Sequence, residues 1–272
     1  MELIPLSPAQ HQALAVLQRQ LRQWNSHCNL TRLVDGDDYW VAQVQDSLWP
    51  LSRMNPPFRG PLRGVDVGTG GGIPGLVLAI ALPESRWVLV DSLQRKCAAV
   101  QAMASGLGLQ ARVEVVCERA ESLGRDAQYR GRFDVAVARG VAPAPVAAEY
   151  LAPLLGSGGL ALLYRGRWST ADHRALQQAA RQLGCRIRAS EHCLLPANRG
   201  QRHVLILEAE MPCPAPYPRA VGVPARRPLA TASSSSPPTP DMALRGTRRH
   251  NPSVALCCNY PGGFGPYSFA WS

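Results

Sequence analysis

An acid followed by alternating glycines, Asp66-Val67-Gly68-Thr69-Gly70-Gly71-Gly72, stands directly after a short apolar run. Glycine at such places lets a bulky ligand lie against bare backbone, where a Cβ would collide. A strand, a glycine turn and a helix start also aim free N–H groups at a ligand carboxylate or ribose. A second acid, Asp91, stands 23 residues after Gly68, at the end of the next apolar run. A carboxylate there can accept hydrogen bonds from both hydroxyls of a ribose, a task shared by nucleoside-binding α/β folds. It can equally cap the helix that begins near Gln94. Ser92 and Leu93 follow it and would flank the nucleoside. Beyond the third apolar run come Ala120 and Glu121. Glu121 is either a ligand contact or a first-turn acid favoured by a helix dipole. The fourth run closes on Val137-Ala138-Arg139-Gly140, which leaves a guanidinium at a strand end, either at the reacting centre or as plain surface charge.

These residues need elements to hold them. From residue 64 the pattern alternates, with strands predicted over 64–67, 87–91, 113–117, 133–138 and 159–164. Helices are predicted between them over 74–82, 94–106, 120–127 and 143–155. This order argues for a parallel sheet covered on both faces. After a helix over 169–183, two strands over 186–192 and 202–208 fit an antiparallel hairpin closing the sheet edge. Upstream, Ser7-Pro8 opens a helix with Leu14, Leu17 and Leu21 on one face, and a second amphipathic segment runs over 37–48. Pro50, Pro56, Pro57, Gly60 and Pro61 mark a linker. The organisation read from this pattern is a helical cap over 1–60, an α/β domain over 61–211, a Pro/Arg-rich segment over 212–229 and a disordered appendage over 230–272.

The chain has 272 residues and a formal charge of +10, from 29 basic against 19 acidic residues. Lys96 is the only lysine, so the positive charge is almost all guanidinium. That suits forked phosphate contacts and stacking on bases, or reflects a genome that writes arginine for lysine. The eight cysteines include no C-x-x-C pair, so neither a metal site nor a disulfide framework is indicated. No basic-then-apolar leader opens the chain, and the longest apolar stretch, 76–82, is far below the ~20 residues of a membrane span. A cytoplasmic, reduced protein is expected.

The acid and the alternating glycines together resemble the D-x-G-x-G-x-G loop of class I S-adenosylmethionine-dependent methyltransferases. The expected fold is their α/β, Rossmann-like, mostly parallel seven-stranded sheet with an antiparallel C-terminal hairpin. A competing reading lies in the same loop, because residues 70–75 satisfy the dinucleotide pattern G-x-G-x-x-G. Asp66 before the first glycine, Pro74 where a pyrophosphate would want an N–H, and the closing hairpin all weigh against a NAD-dependent oxidoreductase. At the fourth strand there is no Asp/Asn-Pro-Pro-aromatic tetrad for exocyclic amines and no cysteine for attack on a pyrimidine carbon. Guanine N7 fits that vacancy, since its lone pair points outward and carries no proton to remove. Alignment and electrostatics would then suffice, without a general base.

With these residues in hand, the chain resembles the glucose-inhibited division protein B family, bacterial 16S rRNA guanine-N7 methyltransferases. Asn29-Leu30-Thr31 and Asp46-Ser47-Leu48 look like the family's "NLT" and "DSL" signatures, and 66–75 like its "DVGTGxGxPG" loop. Asp91 to Lys96 looks like "DSLxKR", and Tyr217-Pro218-Arg219 with Gly222, Pro224 and Pro228-Leu229 like its "YPRxxGxPxxxPL" close. Arg139 matches the arginine of "SRA", although Ala138 replaces the serine and Gly140 the alanine. The resemblance implies S-adenosyl-L-methionine as cofactor, held by Gly68, Gly70, Gly72, Ile73, Asp91, Ser92, Leu93, Ala120, Glu121 and Arg139. It implies Arg139 as the positioning or electrostatic residue at the reaction centre. It also implies a guanosine in the decoding-region loop of 16S rRNA as substrate, within the small ribosomal subunit or its assembly intermediate. A monomer away from membranes is expected. An rRNA-binding assembly protein without turnover is the alternative.

Overall fold

The computed structural model describes residues 3–54 and 61–229. Pro56, Pro57 and Gly60 of the expected linker, and the appendage expected over 230–272, lie outside the described residues. The strands are β1 (Arg63–Val67), β2 (Arg86–Asp91), β3 (Val113–Cys117), β4 (Phe133–Arg139), β5 (Leu155–Arg165), β6 (Cys185–Leu195) and β7 (Gly200–Ala209). They form one sheet in the order β3-β2-β1-β4-β5-β7-β6. The first five are mutually parallel, while β7 runs antiparallel to both β5 and β6. The closing hairpin is therefore inserted, with β7 inside the sheet and β6 at its edge.

Period-2 alternation divides the core between the two faces. On β2, Trp87 and Leu89 join one apolar cluster while Val88 and Val90 join the other. On β7, Val204 and Ile206 face the first cluster and Leu205 and Leu207 the second. The covering helices are α4 (Gly75–Ala81), α5 (Gln94–Gly106), α6 (Ala120–Leu123), α7 (Ala144–Leu151) and α8 (Thr170–Gln182). The expected helix over 143–155 stops early: Pro153 falls in a 3-10 turn over Ala152–Leu154, and β5 begins at Leu155. Proline at that point cannot donate to an α-helical ladder.

Upstream of the sheet, α1 (Pro8–Cys28) starts at a capping box in which Ser7 and Gln10 satisfy each other's backbone N–H. Its Leu14, Leu17 and Leu21 are completely buried in the first cluster. Gln10 also donates to the Ile80 and Ala81 carbonyls at 3.0 Å, closing the end of α4. The second amphipathic segment is not one α-helix. It runs from α2 (Gly36–Tyr39) through a π-helical stretch, Trp40–Gln45, into α3 (Asp46–Leu48) and a 3-10 turn, Trp49–Arg53. A last short helix, α9 (Val223–Arg226), lies in the Pro/Arg-rich segment. Among the described residues no helix is long and apolar enough to cross a membrane.

Candidate active site

The order reverses between β1 and β4, and ligands of open α/β sheets bind in the crevice at that point, beyond the carboxyl ends of the strands. A cavity of about 470 Å³ opens there. That size lies within the roughly 300–1,000 Å³ of small-molecule sites. Gly68, Asp91, Ser92, Leu93, Ala120 and Glu121 line it, six of the positions singled out from the sequence. Gly70, Gly72, Ile73 and Arg139 are not among the lining residues.

The glycine loop works differently from the expectation of free N–H groups. Gly68 and Thr69 both donate to the Val90 carbonyl, at 2.8 and 2.9 Å, and Gly72 and Ile73 both donate to the Thr69 carbonyl. These bonds stitch the loop to β2 and to itself, so what Gly68 offers the cavity is bare backbone. A Cβ on Gly68 would stand 2.5 Å from a Val141 methyl, and its φ of +72° disfavours any side chain. Gly72 is required for packing instead, since a Cβ there would meet Leu76 at 2.6 Å. Ile73 is buried in the core.

The start of α4 is occupied in the same way. Gly75 donates to Asp66 Oδ2 at 2.9 Å, Leu76 to the Gly72 carbonyl, and Pro74 has no N–H. A pyrophosphate would find no free donor among these three, which argues against the dinucleotide reading. Asp66 itself is fully buried, with Oδ2 also taking the Thr69 hydroxyl at 2.7 Å and Oδ1 left without a partner. Burial pushes its carboxyl from 3.8 up to about 6, partly opposed by the Thr69 and Gly75 hydrogen bonds.

Asp91 ends β2 on the cavity wall. Its Oδ2 accepts from Gly70 N and its Oδ1 from Leu93 N, each at 3.0 Å. A carboxylate has roughly four acceptor sites, so about two remain for a pair of hydroxyls. The cap and the ligand-binding readings of Asp91 are thus compatible, and Gly70 serves the site by orienting this carboxylate. Glu121 is also buried, but its Oε1 accepts the Gly222 N–H at 2.8 Å and its Oε2 lies 3.5 Å from Arg119 Nε. Burial alone would raise its carboxyl, yet the Gly222 N–H and the Arg119 charge hold it below the ordinary range. Glu121 therefore fastens the 212–229 segment across the cavity, where Ala225 joins the lining.

Arg139 ends β4 half-buried beside the cavity. Its Nη1 lies 3.1 Å from Asp46 Oδ2 and 3.3 Å from the Ala42 carbonyl, and its Nη2 donates to Gln43 Oε1. All three partners come from the π-helical turn and α3. There the Asp46 N–H reaches back five residues to the Val41 carbonyl, the wide winding that often marks a functional site. The next residue, Gly140, lines the cavity with φ +68°, and a Cβ there would meet nothing within 4 Å. Glycine in place of the alanine expected from the resemblance removes backbone strain and leaves that space open. A bare Gly68–Gly140 cradle beside a carboxylate with acceptor capacity left over fits a nucleoside-bearing cofactor.

Comparison with known proteins narrows the class. The family model for GidB, rRNA small subunit methyltransferase G, matches residues 10–205. A "Ribosomal RNA small subunit methyltransferase G" from Parasynechococcus marenigrum (strain WH8102) is 56% identical over 223 residues, 82% of this chain and 90% of the relative. The chain belongs to the rRNA small subunit methyltransferase G family. A second member, from Synechococcus sp. (strain RCC307), is 58% identical over 79% of this chain and 90% of its own length. Among solved structures, the [4+2]-cyclase SpnF aligns with a TM-score of 0.51 at 18% identity, over 76% of this chain and 98% of that one. That likeness shows the fold alone.

Several residues that line this cavity were not singled out from the sequence: Glu118, Arg119, Val141, Ala142, Tyr150 and Ala225. Glu118 and Arg119 had a signal, as polar residues directly after the third strand. Tyr150 and Ala225 had none, because they reach the cavity through α7 and the C-terminal segment.

Proposed function

We propose that the chain transfers the methyl group of S-adenosyl-L-methionine to N7 of a guanosine in the decoding-region loop of 16S rRNA, acting as a monomer in the cytoplasm on the small subunit or its assembly intermediate. The observation that carries this reading is the 56% identity over 82% of the chain to a ribosomal RNA small subunit methyltransferase. The cofactor supplies an electrophilic methyl on a sulfonium, and it leaves as the neutral thioether. Asp91 would hold its ribose, Leu93 and Ala120 would flank its base, and Gly68 and Gly140 would admit its backbone-facing side. The attacking N7 lone pair carries no proton, so the reaction needs no general base where β4 ends at Arg139 and Gly140.

The product base gains positive charge, which a bare guanidinium would oppose. Arg139 is not bare: Asp46 at 3.1 Å compensates its charge. Arg139 therefore acts as a positioning residue, tying the end of β4 to the helical cap that borders the reaction space.

The test is incubation with small subunits from an unmethylated strain and methyl-labelled S-adenosylmethionine, followed by nucleoside mapping. Label in 7-methylguanosine of 16S rRNA is expected. Retained rRNA binding with no label in guanine would instead identify an assembly protein without turnover.

A further inference from the structure

A second cleft opens on the same sheet edge, two strands from β1 and outside the site described above. It measures about 450 Å³ and is lined by Gly166, Arg167 and Trp168 after β5, and by Gly200, Gln201, Arg202 and His203 at the start of β7. Register fixes its position: Arg139 pairs with Tyr164, and Arg165 pairs with His203. The cleft thus continues the line of strand ends on which Arg139 and Gly140 stand.

One contact ties it to the lining of the first cavity and another to Arg139 beside that cavity. Arg165 Nη1 donates to the carbonyl of Ala142, a residue of the cavity lining, at 2.6 Å. Asp46 is shared, with Oδ2 at 3.1 Å from Arg139 and Oδ1 at 3.6 Å from Arg202. The two walls are held together by His203, whose Nδ1 lies 2.7 Å from the Gly166 carbonyl.

The lining contains two guanidinium groups, an indole and an imidazole, and no carboxylate. Arg167 is exposed and makes no ion pair among the described residues, unlike Arg199, Arg202 and Arg219. Trp168 is half-buried and sits edge-on to His173, with ring centroids 6.5 Å apart. An unpaired guanidinium grips a phosphate in forked geometry, and an indole offers a stacking surface to any unpaired base. An acidic peptide would use the arginines but leave the indole without a stacking partner, so a nucleotide uses the whole lining.

We propose that this cleft seats a nucleotide flanking the target guanosine, with its phosphate on Arg167 and its base against Trp168. The inference rests on the reading of the chain as an rRNA methyltransferase and adds where the RNA strand runs next to the reaction centre.

The test compares wild type with Arg167→Ala, Trp168→Ala and Trp168→Phe, using unmethylated small subunits. Methylation kinetics, subunit binding at several salt concentrations and S-adenosylhomocysteine affinity are all measured. Arg167→Ala is expected to raise KM for the subunit and to flatten the salt dependence of binding by about one phosphate contact. Trp168→Ala is expected to weaken subunit binding roughly tenfold, with Trp168→Phe recovering most of it. S-adenosylhomocysteine affinity should not move in any variant. Wild-type subunit binding by both Arg167→Ala and Trp168→Ala would overturn the cleft assignment. Binding is read separately from methylation, so an inactive wild type would refute the proposed reaction while the cleft is still judged. Arg167 is exposed, so if Trp168→Ala fails to fold, wild-type binding by Arg167→Ala alone overturns the assignment.

Discussion

At the scale of single residues, two buried acids with different partners illustrate how the site is held. Asp66 is completely buried with one oxygen unpartnered, and its carboxyl rises from 3.8 to about 6. That separation corresponds to roughly 3 kcal/mol between its two protonation states. The folded state binds the extra proton, so its contribution is fully present below about pH 4 and is lost as pH rises through about 6. Asp66→Asn keeps the acceptor for Thr69 and Gly75 without the buried charge. Denaturant unfolding at pH 5 and pH 8 is expected to show a smaller pH difference for this variant than for wild type. An unchanged difference would mean that Asp66 does not titrate there. Asp46 is raised as well, again by burial, but here the charges of Arg139 and Arg202 work against that rise. Replacing Arg139 by Ala removes the nearer partner of this buried acid, leaving Arg202 at 3.6 Å, and frees the end of β4 from the segment that carries Asp46. Methyl transfer is expected to fall roughly 10²–10³-fold, in the range seen when an aligned polar group is lost from a reaction centre. S-adenosylhomocysteine affinity should hold, since Arg139 does not line the cavity, and a melting curve separates lost alignment from lost folding.

At the scale of elements, the segment 212–229 is a strap rather than an appendage to the hairpin. Arg219 makes a two-pronged pair with Glu149 of α7, Nε to Oε1 at 2.8 Å and Nη2 to Oε2 at 2.6 Å. Arg130 gathers the Cys213, Pro214 and Tyr217 carbonyls, and Glu121 takes the Gly222 N–H. Glu149 is fully buried, so Arg219→Ala leaves an uncompensated charge at a cost of about 3–5 kcal/mol. The corresponding loss in Tm is about 6–20 °C for a domain of this size. Cofactor affinity should weaken as well, because the strap carries Ala225 into the cavity wall. Calorimetric titration with S-adenosylhomocysteine below the new Tm checks this, and wild-type affinity would show that the strap does not complete the site.

At the scale of the whole molecule, the formal charge of +10 is carried almost wholly by arginine. Pairs such as Arg139–Asp46, Arg186–Glu208 and Arg219–Glu149 match single arginines with acids, and +10 is the excess once every acid is counted. Under the proposed function that excess would attract the rRNA at long range. Raising salt from about 50 to 200 mM is expected to raise KM for the subunit on the order of tenfold or more. Affinity for S-adenosylhomocysteine should change little, because hydrogen bonds within a cavity are screened less than exposed charges. Equal salt dependence for the two ligands would place the dominant contacts elsewhere than on phosphate.

The sequence by itself determined the alternation of strand and helix, the glycine loop and Asp91, because local period and backbone sterics act over a few residues. Strand β3 and helix α5 coincide with their predicted limits for that reason. It also identified Glu121, Arg139 and the Tyr217-Pro218-Arg219 motif as special, without their partners. Only the tertiary structure decided those partners. Gly222 reaches Glu121 across 101 residues, and Gln43 and Asp46 reach Arg139 across 96 and 93. The π-helical turn and the insertion of β7 beside β5 were decided there too, since both depend on packing against distant elements rather than on periodicity. The glycine loop marks the difference most plainly: its residues could be read in order, but its N–H groups turn inward to Val90, Thr69 and the carboxylates of Asp66 and Asp91. Hydrogen-bond acceptors are supplied by whatever the fold brings within about 3 Å, and no local pattern specifies that.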